Sequence, residues 1–367
     1  MSREKPFQAN CRTTAMSILP HTDPEQALEL VLGLDVPFWP QLPNISFNED
    51  MYAQASYDFP GVTIHPEDGK ITFSHEKFEQ EIDEYSRRLD DPESFRLSQS
   101  YADIYRKFLG NDLKSYPAIH GQIPGPVNLG FRINDENGKP IVYDDNIRGL
   151  LFDFIQRKFN AQYQQLHEKN KNAFVWLDEP GLIWVFSGLA GYNDIQAKRD
   201  YQDFLTTLEG IRGLHLCTNI NMTYLLELGI DLLSFDAYQI ETMPVSYAES
   251  AAKFTRNGGI ISWGIVPTEP LKLKEESVEN IAARLLGYWE VIADKGGVPL
   301  PQIAAQALLA PAKCCVKSLE FSNAKKTGTC EIKEEPGSTA EQQSVATAYS
   351  YLKKLSLLIR DKFDFPD

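Results

Sequence analysis

The sequence predicts an α/β protein built as a single (β/α)8 barrel of the TIM class, with insertions after the second and eighth strands. Three observations predict it. Eight short apolar runs alternate with longer stretches of helical periodicity, as strands covered on both faces would. Side chains able to do chemistry fall at the carboxyl ends of those runs, where this fold gathers its active groups. The main rival is a doubly wound sheet, but no GxGxxG or GxxxxGK[ST] loop follows any run.

The elements follow in order. The first run is Cys11–Ser17, and Asp23 then caps a helix with Pro24 in its first turn. The second run, Val36–Gln41, is held between prolines. An insertion at about 44–116 follows, with a hairpin (Gly61–His65 and Lys70–Ser74) and helices at about 75–89 and 97–109. The third run is Ala118–Ile123. Ile147, Leu150, Leu151, Phe154, Ile155 and Phe159 then mark an amphipathic helix across 144–168. The fourth run, Ala173–Asp178, ends in Asp178-Glu179-Pro180, and a helix at about 197–210 follows. The fifth run is Gly213–Cys217. A helix over 220–229 is closed by Gly229, and the sixth run, Asp231–Asp236, begins directly after it. Helix 246–256 leads to the seventh run, Gly259–Val266, and helix 275–293 to the eighth, Gln306–Ala310. A polar loop at about 319–338 precedes a closing helix at about 340–363.

The chain has 367 residues, 43% of them hydrophobic, enough for one large catalytic domain over 1–367. A formal charge of −15 argues against nucleic acid or an anionic membrane as a partner, since both favour basic surface. The N-terminus has no apolar signal core, and no run approaches the ~18–20 residues of a membrane span. The expectation is a soluble, cytoplasmic protein. Five cysteines, an odd and small number, argue against a disulfide framework and leave thiols free for chemistry.

The pair His215-x-Cys217 focuses the functional reading. On a strand both side chains point to one face, with Cα atoms roughly 7 Å apart. Imidazole and thiolate suit a tetrahedral zinc ion. Asp236 at the end of the sixth run and Cys314 or Cys315 after the eighth complete a candidate metal set. A carboxylate as fourth ligand could yield its place to substrate, and two thiolates favour holding a substrate thiolate over activating water. Each residue also has an ordinary reading: a core histidine, buried cysteines, an aspartate capping a turn, a solvated Asp178-Glu179 pair.

At these residues the chain resembles the catalytic barrel of cobalamin-independent methionine synthase, within the uroporphyrinogen decarboxylase-like superfamily that also holds methylcobamide:thiol methyltransferases. The resemblance rests on Thr13–Thr22, Gly125-Pro126-Val127-Asn128, Asp178-Glu179-Pro180, His215-x-Cys217 and Pro311-Ala312-Lys313-Cys314. It implies that Asp178 holds the amino group of an amino acid substrate, with Glu179, Met16 and Ser17 beside it. It also implies that His215, Cys217 and Cys314 bind zinc. The sequence departs from the family in having Asp236 where glutamate is usual, with Glu241 a stand-in. Met16 replaces a glycine, and Cys315 follows Cys314 where a glycine is usual; Cys314 keeps the spacing to Lys317-Ser318-Leu319. The second, N-terminal barrel of the long methionine synthases has no counterpart.

The expected reaction is transfer of a methyl group to a thiol, first of all homocysteine to give methionine. The donor is methyltetrahydrofolate or a methylcobamide, free or carried on a corrinoid protein. A folate donor would need an acid such as His120 or His21; a corrinoid donor would not. The other readings are methylation of a different thiol, a non-catalytic zinc-stabilised barrel, and porphyrin decarboxylation, which needs no metal.

Overall fold

The computed structural model describes residues 7–187, 191–218, 221–314 and 339–366. Its strands are β1 (Arg12–Thr13), the hairpin pair β2 (Val62–His65) and β3 (Lys70–Phe73), then β4 (His120–Pro124), β5 (Phe174–Asp178), β6 (Ile211–Leu216), β7 (Leu232–Asp236), β8 (Ile260–Val266) and β9 (Ala307–Pro311). Seven of these make one curled parallel sheet in the order β1-β9-β8-β7-β6-β5-β4. The expected hairpin is there, with Gly69 at its turn in the left-handed region (φ 59°).

The second expected strand differs. Val36–Gln41 forms no ladder, because Pro37 and Pro40 have no N–H to donate. It bonds instead at single points to both edges of the sheet. Val36 N donates to Thr13 O (3.0 Å) and Gln41 N to Ser17 O (2.7 Å) on one side; Trp39 N donates to His120 O (3.1 Å) on the other. The first strand is also shorter than Cys11–Ser17. Asn10 and Cys11 hold positive φ (45° and 55°), so extended pairing starts only at Arg12.

The helices in chain order are α1 (Pro24–Leu32), α2 (Met51–Ser56), α3 (His75–Arg88), α4 (Asp103–Leu109), α5 (Pro126–Arg132), α6 (Asp145–Lys169), α7 (Asp194–Thr207), α8 (Met222–Leu226), α9 (Val245–Arg256), α10 (Pro270–Glu275), α11 (Val278–Gly296), α12 (Leu300–Ala305) and α13 (Thr339–Lys362). Residues 44–116 thus carry α2, the hairpin, α3 and α4. The helix expected over 275–293 is α11, which opens where Ser277 accepts from Asn280 N, and the short α10 precedes it. The expected polar loop at 319–338 and Cys315 lie outside the described residues.

Alternation along the strands divides the core in two. Phe174, Trp176, Ile211, Leu232, Ile260 and Leu308 pack on the concave face with Met16 and Val36, while a larger apolar cluster fills the space between sheet and helices. Gly213 makes room for the Trp176 indole, since a Cβ there would stand 2.7 Å from its ring. This apolar floor lies beneath the carboxyl ends of β5, β6 and β7.

Candidate functional site

Parallel register sets Asp178 opposite His215, and His215 opposite Ser234. All three are buried. The Ser234 hydroxyl meets His215 Nδ1 at 3.0 Å, which leaves Nε2 as the working nitrogen. Nε2 has no hydrogen-bond partner, and 3.9 Å away neither has Asp178 Oδ1. Buried polar atoms are normally satisfied, so two side by side mark a place built for something else. Burial holds the His215 imidazole neutral, with its pKa lowered to about 3, and pushes the Asp178 carboxyl up to about 7. Ser17 Oγ, Thr218 Oγ1 and Ser262 Oγ are also buried without a partner.

Cys217 follows β6 on the face of His215 and is half-buried. Its thiol is pushed up to about 12, first by burial and then by Asp178 and Asp236. Asp236 ends β7; its Oδ1 accepts from Gln239 N (3.3 Å), and its Oδ2 lies 3.9 Å from Lys313 Nζ. Burial raises its carboxyl to about 6, with Lys313 opposing. Cys314, half-buried, packs against the concave-face cluster that includes Met16. Glu241 is exposed. A zinc ion fits the first pair in kind: a buried neutral imidazole with a free nitrogen and a thiol on one face. Among the described residues, however, no three of His, Cys, Asp and Glu stand together closely enough to hold an ion. Further ligands would have to move in beside His215 and Cys217 to hold an ion.

The other expected residues separate. Glu179 is not open to substrate. Its carboxylate accepts from Val127 N (3.0 Å), Asn128 N (2.7 Å) and the Tyr201 hydroxyl (2.8 Å), tying the start of α5 to α7. The reason is alternation: Asp178 faces inward, so the next residue faces the helices. His120 is also committed. It stacks between Phe38 and Phe174, its Nε2 is 2.9 Å from Thr14 Oγ1, and burial lowers its pKa to about 3, a poor setting for an acid. His21 is buried as well: its Nδ1 is unpartnered, and burial lowers its pKa against the pull of Asp23. Ser17 is fully buried, its N–H donating to Gln122 Oε1 (2.9 Å), and Met16 belongs to the floor.

Sequence reasoning missed Ser234 and Gln122, although each lies two residues from a named residue on the same strand face (Asp236 and His120). Tyr201, on a helix, had no such signal.

No model of a known protein family matches the chain, and no curated protein does. Among solved structures it is similar to other chains at low sequence identity. One is a B12-independent methionine synthase from Shewanella sp. W3-18-1 in complex with selenomethionine: TM-score 0.42, 13% identity, covering 75% of this chain and 67% of that one. Another is a methyltransferase from Methanosarcina mazei: TM-score 0.47, 15% identity, covering 96% and 94%. Likeness at that level carries no residue roles across, so the functional reading rests on this chain's own side chains. No helix among the described residues is long and apolar enough to cross a membrane.

Proposed function

We propose that this protein is a zinc-dependent methyltransferase acting on a small thiol, homocysteine first, with methyltetrahydrofolate or a methylcobamide, free or protein-bound, as donor. The observation that carries it is the pair of unpartnered buried groups, His215 Nε2 and Asp178 Oδ1, 3.9 Å apart, with Cys217 on the same face. Single-point bonding of Val36–Gln41 to both sheet edges supports reading the sheet as a closed eight-membered barrel in one domain. Five cysteines, few and odd in number, support a reducing, cytoplasmic setting.

In this reading His215 and Cys217 hold zinc, with Asp236 and Cys314 drawn in to complete its ligands. Bound there, zinc would lower a substrate thiol's pKa so that the thiolate dominates at neutral pH. The chain does the rest. Asp178 takes the substrate ammonium in a charge-assisted bond that fixes the amino acid's orientation. Ser17 supplies a free hydroxyl to the carboxylate. Ser234 keeps the imidazole turned with Nε2 forward. Trp176 closes the floor against water from below. With His120 committed to Thr14, a folate donor would draw its proton from His21.

X-ray absorption of the zinc-loaded protein with and without homocysteine, beside methylation assays with both donors, tests the proposal. An added Zn–S scatterer and methionine formation support it. Zinc bound with no change on adding thiol, and no methylation from either donor, would sink it.

A further inference from the structure

A second polar site lies outside the one described, between the Val36–Gln41 segment, β4 and α6. Trp39, Gln41, Gln122, Lys158 and Gln162 line a small cavity with room for roughly one or two water-sized species. Three of these carry a buried atom without a partner on the helix side of the sheet: the donor Trp39 Nε1 and the acceptors Gln41 Oε1 and Gln162 Oε1. The Gln41 amide is fixed by its other end, whose Nε2 donates to Gln54 Oε1. The site is built, in that Gln162 reaches β4 only because residue 121 is glycine; a Cβ there would stand 2.3 Å from Gln162 Oε1.

Charge gives the ligand's sign. The protein carries −15 overall, yet no aspartate or glutamate lines this cavity, and its charged residues are Lys158 and Arg96. Arg96 is paired with Glu93. Lys158 is 5% exposed and meets only Gln54 O (3.0 Å) and the faces of Tyr57 and Phe154 (5.6 and 5.1 Å). A lysine buried to this degree is normally paired with an anion. Burial without one lowers its pKa to about 7, with Asp58 pulling it up and Arg88 down.

We propose that this cavity binds a small inorganic anion of chloride's size, between Lys158 Nζ and Trp39 Nε1. One accompanying water donates to Gln41 Oε1 and Gln162 Oε1. The site does not depend on the zinc reading.

The test replaces chloride with gluconate at constant ionic strength and, in parallel, locates bromide by anomalous scattering in crystals of the whole chain. Chloride should raise the melting temperature by at least about 2 °C. Bromide should appear beside Lys158. Lys158→Met should remove the chloride response and Trp39→Phe should weaken it at least tenfold in chloride concentration; the second variant keeps the ring and so tests the donor even where the first fails to fold. Equal melting in both salts with no bromide peak in the cavity would overturn the proposal, as would a full chloride response in Trp39→Phe.

Discussion

Gly125→Ala should be among the most damaging small changes in the molecule. The backbone at Gly125 is ordinary (φ −72°, ψ 162°), so alanine brings no conformational strain. The difficulty is space, because a Cβ there would lie 2.0 Å from Glu179 Oε1 and 2.3 Å from its Cδ and Cγ. The carboxylate has to leave, and Val127 N, Asn128 N and the Tyr201 hydroxyl then lose a buried acceptor. Each abandoned donor costs about 1–3 kcal/mol. They share one network, so the losses are less than additive, and the total should be about 3–5 kcal/mol. Gly149 and Gly287 supply the control. Both sit inside helices (α6 and α11) with nothing within 4 Å of an added Cβ, so alanine there should stabilise by about 0.5–1 kcal/mol. Urea unfolding of the three variants measures the contrast. A Gly125→Ala midpoint equal to the parent's, or a structure of it with the Glu179 carboxylate unmoved, would refute the reasoning.

Further outcomes follow from the same geometry. In halide-free buffer, Lys158 binds its proton less tightly folded (about 7) than unfolded (10.5), so its penalty is complete below pH 7 and is relieved as pH rises towards 10.5. The parent should therefore gain up to about 5 kcal/mol relative to Lys158→Met across that window, read from paired denaturation curves. Ser234→Ala, which orphans the buried His215 Nδ1, should cost about 1–3 kcal/mol in unfolding and weaken zinc retention roughly 10–100-fold in chelator competition, with Ser234→Thr restoring most of both. Asp178→Asn should raise the KM for homocysteine at least about tenfold while leaving it unchanged for a simple alkyl thiol. Equal effects on both thiols would show that Asp178 does not hold an ammonium.

Much of this architecture was legible because β5, β7 and β8 are buried on both faces and read as continuous apolar runs. Their last residues, Asp178 and Asp236, were legible for the same reason, since a carboxylate ending such a run stands out. The Val36–Gln41 segment read as a strand because its apolar content is strand-like; what periodicity does not weigh is how many N–H groups prolines remove. Glu179 was misjudged by its neighbour. Proximity in sequence to Asp178 suggested a shared task, while alternation sends the two side chains to opposite sides of the sheet. His120 offered no warning, because only the folded chain sets Phe38, Phe174 and Thr14 around its ring.

That opposite facing of Asp178 and Glu179 has a mechanical consequence. The peptide joining them is rigid, and Gly125 N and Asn128 Nδ2 also grip the Asp178 carbonyl (2.9 and 3.3 Å). A molecule that pulls on Asp178 from within therefore pulls on the helix pair outside, as a lever moves about its pivot. Occupancy of the interior becomes readable on the outer wall, where a spectroscopic label at exposed Arg132 on α5, which stacks on the Tyr52 ring, would register it.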